Sequence, residues 1–521
     1  MGLGCRALVG LAILSCCVIH VLAEPPEQKI KFLINPDGVY SHWLPMLRIS
    51  RELEARGHQL KYIYSSDVEY LADKFNLQAA ARIPFPCQYA AQDLMDGITQ
   101  LKSEGREAEM FKSLMPKWYD YTRGAIEDNA TIAAVREYAP DLIFFDGGFP
   151  SAAPIGDLLG IPYVAFHVFS PLGSLFNYPA GTPSVPSLIP SFPGVIWAKQ
   201  PMGLIGRFKS LASWALGMFI VQSFDKNYSP LWTQHGMPDM SYVKCLRKAS
   251  AWIFQGDFAL LPAIPMSPHA HVLGSLTAEP AQPLQGKLRA FCDAALDTGV
   301  IFISSGSSAT PDVRMLTGIQ QAVSTVKASV VWKLTAGDQQ KMKEHNVSIP
   351  KNVLVVEFAP QNDLLGHPAV RGFVTQGGGN SYHEAWYHAV PMIIIPLYGE
   401  QPWHAKQVEA LGAGLGIHIA SPIDIAQLAR LLSAAFTKLL ATDDYLNTAR
   451  RYSQLMRAER WTPVEKAASV LEHAGWTKGS PHNQMLQHGQ SFIAVHNLDL
   501  FAIIFMLLAG VLLLLLWAKD D

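Results

Sequence analysis

Charge is scarce in this chain of 521 residues. Only 16% are Asp, Glu, Lys or Arg, and 41 Lys+Arg against 43 Asp+Glu leave a formal net charge of −2. Low charge with 10% aromatic content excludes intrinsic disorder and excludes a coiled coil laced by charged heptads. With no basic excess there is no field for a phosphate backbone, so no nucleic-acid partner is expected. Cysteine is scarce as well. Of six, Cys5, Cys16 and Cys17 fall in the first 23 residues, and Cys87, Cys245 and Cys292 stand far apart. That is neither a disulfide framework nor a zinc spacing, although one pair can bridge in an oxidising compartment. No Asp-x-Asp triplet is present, which argues against a metal-dependent sugar transferase. A Walker lysine motif and G-x-G-x-x-G are both missing, so a nicotinamide oxidoreductase loses its main support. His383-Glu384 with His388 resembles a zinc-protease helix, but its two histidines are five residues apart and do not share a face. No metal site is expected.

What is abundant is apolar: 49% of residues, with 39 Gly and 35 Pro scattered along the chain, the composition of a large α/β protein with many tight turns. Both ends carry apolar excess. Residues 1–23 read as a signal peptide, with Arg6 as its charge, Ala7 to Leu14 as its centre and Val21-Leu22-Ala23 as the cleavage pattern. At the other end Leu500 to Trp517 holds no charge, within a span expected over 498–517 and followed by a cytosolic tail, 518–521. A signal with one C-terminal span predicts a single-pass type I protein in the lipid bilayer, its main part lumenal, with the endoplasmic reticulum as the expected compartment. Three sequons, at Asn129, Asn227 and Asn346, then become usable, the second weakened by Pro230.

Between the ends, two β-α-β patterns are separated by a proline-rich stretch. Ile30 to Ile34 and Leu60 to Tyr64 read as buried strands around a helix that carries Trp43, Leu44, Leu47, Ile49 and Leu53. Leu142 to Phe145 is a strand ending in Asp146. Strands resume at Val300 to Ser304, Val330 to Trp332, Val353 to Val356, Gly372 to Val374 and Met392 to Pro396. The expected fold class is α/β, two Rossmann-like domains facing a cleft plus one C-terminal transmembrane helix. The expected boundaries are 24–265, a linker at 266–290, and 291–485. The segment Pro171 to Met240, rich in apolar residues, is expected to line a pocket for a lipophilic acceptor.

Chemistry concentrates between Phe358 and Gln401. A strand leads into Thr375-Gln376-Gly377-Gly378-Gly379-Asn380 and then a helix, a turn that lets backbone and helix N-terminus approach a phosphate. Glu384 follows where a carboxylate can accept ribose hydroxyls, and Glu400-Gln401 suits the hydroxyls of a sugar. The run FAPQNDLLGHPAVRGFVTQGGGNSYHEAWYHAVPMIIIPLYGEQ resembles the donor-binding signature of the UDP-glycosyltransferase family. DGVYSHW, DLIFFD, ISSGSS and the C-terminal anchor extend that resemblance over nearly the whole chain.

The resemblance implies a GT-B fold, with acceptor in the first half, UDP-sugar as co-substrate in the second, and no cofactor. It implies that Phe358, where the family usually has Trp, stacks on uracil and that Gln361 bonds the uracil edge. Ser307, Thr375, Gln376, Gly379 and Asn380 would surround the diphosphate, Glu384 the ribose, and Glu400 and Gln401 the sugar. Gln376 stands where the family most often has His, and Glu400 where it has Asp. His42 and Asp146 match the catalytic pair: a base that takes the acceptor's proton, and a carboxylate that orients it. The predicted reaction is inverting transfer of a sugar to a hydroxyl of a small lipophilic acceptor. Glucose is favoured over glucuronate, because Ala251 to Gly256 holds no cation to match a carboxylate. The alternatives are a UDP-glucuronosyltransferase and a non-catalytic relative that binds nucleotide sugar or a partner chain. The tail's single lysine, Lys519, where relatives often have two, leaves onward traffic open. Oligomeric state is not legible.

Overall fold

The computed structural model describes residues 28–36, 38–88, 96–97, 100–101, 104, 106, 109–148, 151–168, 170–171, 180–182, 202–306, 310–483, 492–495 and 497–520. The signal segment and Ser307 lie outside them. Two parallel sheets carry the fold, as the alternation of apolar runs predicts. The first contains β1 (Lys31–Asn35), β2 (Gln59–Ser65), β3 (Arg82–Phe85), β4 (Leu142–Asp146), β5 (Tyr163–His167), β6 (Trp252–Phe254) and β7 (Ala270–Val272), in the order β3-β2-β1-β4-β5-β6-β7. The second contains β8 (Val300–Ser304), β9 (Ser329–Lys333), β10 (Val353–Val356), β11 (Val370–Thr375), β12 (Met392–Ile394) and β13 (Gly414–Gly416), in the order β10-β9-β8-β11-β12-β13. Helices cover both faces, so strands such as β4, LIFFD, and β8, VIFIS, are buried at every position.

The two orders share one consequence. In each sheet the chain leaves the middle in opposite directions from two adjacent strands, β1 and β4 in the first and β8 and β11 in the second. A crevice opens there, at the carboxyl ends. Phe145 pairs in register with Asn35, and Thr375 with Ser304. The loops after these four strands therefore emerge side by side. Buried Asn35 locks the first pair: its Nδ2 donates to the Ile63 carbonyl and its Oδ1 accepts from Ser151 Oγ and Ala152 N.

After β1 comes α1 (Tyr40–Ala55), which buries Trp43, Met46, Leu47, Ile49 and Leu53. Pro45 sits inside it and has no N–H to return to the Ser41 carbonyl one turn back. That carbonyl instead accepts from Asn380 Nδ2 of the second half, at 2.8 Å. Further along are α2 (Ala153–Leu159) and the 31-residue α3 (Leu204–Gln234). Residues 172–179 and 183–201 of the expected acceptor region lie outside the described residues; in the described part, α3 exposes Leu204, Ile205, Phe208, Leu211, Leu216 and Phe219, while its far end buries Tyr228, Leu231 and Trp232 in the first core.

Helices α4 (Gln361–Leu365), α5 (Gly379–Tyr387), α6 (Gln401–Leu411) and α7 (Asp444–Met456) belong to the second half. The next, α8 (Pro463–Trp476), crosses back. Ala467, Ala468, Leu471 and Ala474 join the first sheet's core, and Glu472 bonds Arg56 and His58 at 2.8 and 2.9 Å. Periodicity gives α8 an apolar face but not the partner of that face, and residues 463–476 fall inside the expected second-half range. The expected linker likewise contains a strand, β7. Cys87, Cys245 and Cys292 are free thiols. The last helix, α9 (Leu498–Asp520), exposes an apolar surface and is long and apolar enough over Leu498–Trp517 to cross a membrane; α3 also meets that test of length and composition.

Candidate active site

A cleft of about 340 Å³ runs between the carboxyl ends of the two sheets. His42 enters it from the first turn of α1. Its Nδ1 lies 2.5 Å from Asp146 Oδ2, and Asp146, at the last position of β4, is fully buried. The other carboxylate oxygen, Oδ1, accepts the Gly148 N–H at 2.8 Å, which fixes the carboxylate plane. With Nδ1–H donated to Asp146, the neutral ring carries its lone pair on Nε2. Burial alone would push the His42 pKa down. The Asp146 charge and hydrogen bond, with a smaller contribution from Glu400, outweigh it and hold the pKa above the ordinary value of 6.5.

The opposite wall is built on the second half. Phe358, 67% exposed, presents a ring face beside Gln361 at the N-terminus of α4. Gln361 Nε2 donates to Glu384 Oε2 at 2.8 Å and to Ser381 Oγ at 3.0 Å, so these polar groups are held together before any ligand arrives. Glu384 is 4% exposed; burial raises its pKa, opposed by its hydrogen bond from Gln361. The glycine turn lies between β11 and α5. Gly306 has φ +83°, and a Cβ there would fall 1.9 Å from Gln376 Nε2, so the loops after β8 and β11 interlock only around glycine. Thr375 is buried behind this turn rather than in the cleft wall: its Oγ1 accepts the Gly377 N–H and donates to Gln376 Oε1.

Gly379 opens α5, and its N–H is taken by Glu400 Oε1 at 3.1 Å. Glu400 thus occupies a helix N-terminus where an anion is favoured, even though burial raises its pKa. Gln401 Oε1 accepts the N–H groups of Leu397 and Tyr398, which shapes the loop after β12. His42, Phe358, Gln361, Gln376, Gly379, Asn380, Glu384, Glu400 and Gln401 all line this one cleft; Asp146 and Thr375 stand just behind it. No group of three or more His, Cys, Asp or Glu among the described residues is placed to hold a metal.

Sequence reasoning missed four contributors. Lys333 ends β9 in the cleft wall, with Nζ 3.2 Å from the Gly306 carbonyl; burial and the nearby Lys74 lower its pKa. A cation closing the apolar run Val330-Val331-Trp332 at a carboxyl edge was a readable signal. Arg48, on α1, forms a two-pronged pair with Glu279 at 2.6 and 2.8 Å. Gln255 Nε2 donates to Asn380 Oδ1 at 3.0 Å and ties β6 to the glycine turn. His404, whose burial pushes its pKa down to about 3, stays neutral and bonds the Gly377 carbonyl at 2.6 Å. No local pattern distinguishes these last three.

Residues 31–519 match the UDP-glucoronosyl and UDP-glucosyl transferase family. The chain belongs to that family. It is similar to UDP-glucuronosyltransferase 1-2 of Rattus norvegicus, 27% identical over 95% of this chain and 90% of the relative. It is likewise similar to UDP-glucuronosyltransferase 1A3 of Homo sapiens, 28% identical over 91% and 88%. In fold it is similar to the glycotransferase of kitacinnamycin, with TM-score 0.59 and 18% identity over 86% of this chain and 99% of that one. The two facing sheets are therefore the GT-B arrangement, and the chain is a UDP-glycosyltransferase with UDP-sugar as its co-substrate. In a UDP-glycosyltransferase the crevice between the halves has to hold a nucleotide sugar against an acceptor, and the geometry above offers a face, carboxylates and a helix N-terminus on one side and an imidazole on the other.

Proposed function

We propose that this UDP-glycosyltransferase moves glucose from UDP-glucose, with inversion, to the hydroxyl of a small lipophilic acceptor. The observation that carries the reading is His42, oriented by Asp146 and lining the same cleft as Phe358, Gln361, Glu384 and Glu400. His42 Nε2 takes the hydroxyl proton as the oxygen attacks the anomeric carbon from the side opposite UDP. The C–O bond to the diphosphate breaks, and the electron pair leaves on UDP. Lys333, the α5 N-terminus and the turn amides stabilise that charge. For the helix N–H to reach the diphosphate, Glu400 must release Gly379 and turn to the sugar hydroxyls. Inversion of an α-linked donor gives a β-linked product.

Glucose is preferred on charge. The stretch Ala251 to Gly256 adjoins the glycine turn through Gln255 and supplies an amide, not a cation. Of the cations lining the cleft, Arg48 is paired with Glu279, and Lys333 sits at Gly306, on the diphosphate side. A glucuronate carboxylate would be left without a partner at Glu400 and Gln401. The relatives named glucuronosyltransferases favour the second reading, UDP-glucuronate. Equal concentrations of both donors with one accepted phenol, read by product mass and anomeric proton coupling, decide between them. Predominant β-glucoside is expected; predominant glucuronide would overturn the donor preference, and an α-linked product the inverting mechanism.

We further propose a type I orientation, from the signal at 1–23 and the span Leu498–Trp517, with the catalytic part in the lumen of the endoplasmic reticulum. Asn129, Asn227 and Asn346 are all exposed, as lumenal glycosylation requires.

A further inference from the structure

A second cavity, of about 920 Å³, lies between the two halves, separate from the site of transfer. Only Arg48 and Glu279 border both, and their ion pair forms the partition. Its walls come from α1 and from the segments around Phe258 and Leu273 on one side, and from Tyr387 and the end of α7 on the other; the crossover into α8 closes it. Two features set it apart from a solvent-filled seam. Its apolar side chains are open to solvent: Phe258 is 49% exposed, Leu455 53% and Trp461 55%. Among the described residues, two of its arginines have no carboxylate partner, whereas three of its four carboxylates are paired. Glu279 is paired with Arg48, Glu459 with Lys466 and Glu52 with Arg56. Asp257, the remaining carboxylate of the lining, accepts the Ala259 N–H at 2.8 Å, and burial raises its pKa. Arg51 and Arg457 line the same cavity and have no carboxylate within ion-pair distance among the described residues; Arg457 instead lies over the Tyr387 ring at 5.3 Å.

We propose that this cavity is a binding site for aromatic lipophilic organic anions, distinct from the donor cleft. An aromatic body would cover the exposed faces of Phe258 and Trp461. Its anionic group would take the fork of Arg457 or Arg51, each of which presents donors in the geometry a carboxylate accepts. Because both halves supply walls, the occupant contacts the two sheets at once and lies one ion pair away from Glu384, the ribose-side carboxylate near Arg48.

The test is photo-crosslinking of the full-length protein in detergent by 4-benzoylbenzoate under saturating UDP, with labelled peptides mapped by mass spectrometry. Label is expected within 257–280 and 455–466 and is expected to survive UDP. The neutral amide of the same probe should label these peptides far less. The double variant Arg51→Gln/Arg457→Gln should cut labelling by about tenfold, the equivalent of one good charge-assisted contact. Trp461→Ala provides a second, independent loss should the double variant fold poorly. Label displaced by UDP, label confined to other peptides, or equal labelling by the neutral probe would each overturn the site.

Discussion

At the scale of single residues the site depends on one short contact. Asp146 does two things to His42: it selects the tautomer with the lone pair on Nε2, and it holds the imidazole pKa above 6.5 against the effect of burial. Asp146→Asn keeps the shape and removes the charge. Turnover should fall on the order of 100-fold or more, because the amide can bond either tautomer. The pH profile should also move in a defined direction. The base works only when unprotonated, so kcat/KM of the native enzyme rises as pH climbs through the His42 pKa. Without the carboxylate, burial dominates, the pKa drops, and the rising limb shifts to lower pH. A limb that stays in place in Asp146→Asn would separate His42 from the observed titration. Both members of this pair were legible in sequence, since His42 and Asp146 follow strong strand patterns in recognisable local motifs. Lys333 was less so, and Gln255 and His404 not at all. Their contributions are contacts across 125 and 27 residues of chain, and no local pattern encodes those.

At the scale of elements the glycine turn and α5 form the joint between the halves. Gly379 is packed so closely that a Cβ would sit 2.6 Å from the Val168 carbonyl of the first half, a backbone atom that cannot rotate away. Gly379→Ala should therefore push the N-terminus of α5 off its seat, at a cost of about 1–3 kcal/mol. The expected result is a donor KM raised roughly 5- to 100-fold, with a smaller loss of stability. Titration calorimetry with UDP checks it, and unchanged affinity would show that the turn tolerates the shift. The strands that were predicted fall within a residue or two of those observed: β8 and β10 lie where their apolar runs begin and end, and β4 ends at Asp146; β3, β6, β7 and β13, three or four residues each, were not predicted. Helix starts were less so. Asn35 to Ser41 reads as a loop, yet α1 begins at Tyr40 with no side-chain cap to announce it, and this puts His42 on the helix.

At the scale of the whole molecule the chain is not two beads in sequence. Helix α8 returns from the second half to complete the first core, and Leu471 is fully buried there. Leu471→Ala should cost about 2–5 kcal/mol, and the loss should appear in the unfolding of the first sheet even though the residue lies near the chain's end. Hydrogen exchange over residues 30–65 reads this out; protection lost only in the second half would contradict the packing. The crossing escapes sequence reading because an apolar face records how much must be buried, not against what. Membrane topology gives another whole-molecule expectation: protease added to sealed microsomes should spare the main body, whereas degradation of the folded part would reverse the orientation. The division of labour between the halves is the central claim, with chemistry on the first and donor grip on the second. Its most direct measurement is His42→Ala, assayed in parallel for product formation and for UDP affinity. Turnover should fall by about 100- to 10,000-fold while UDP binds as in the native enzyme. Ordinary turnover in the folded variant, or loss of UDP binding in step with activity, would contradict the account.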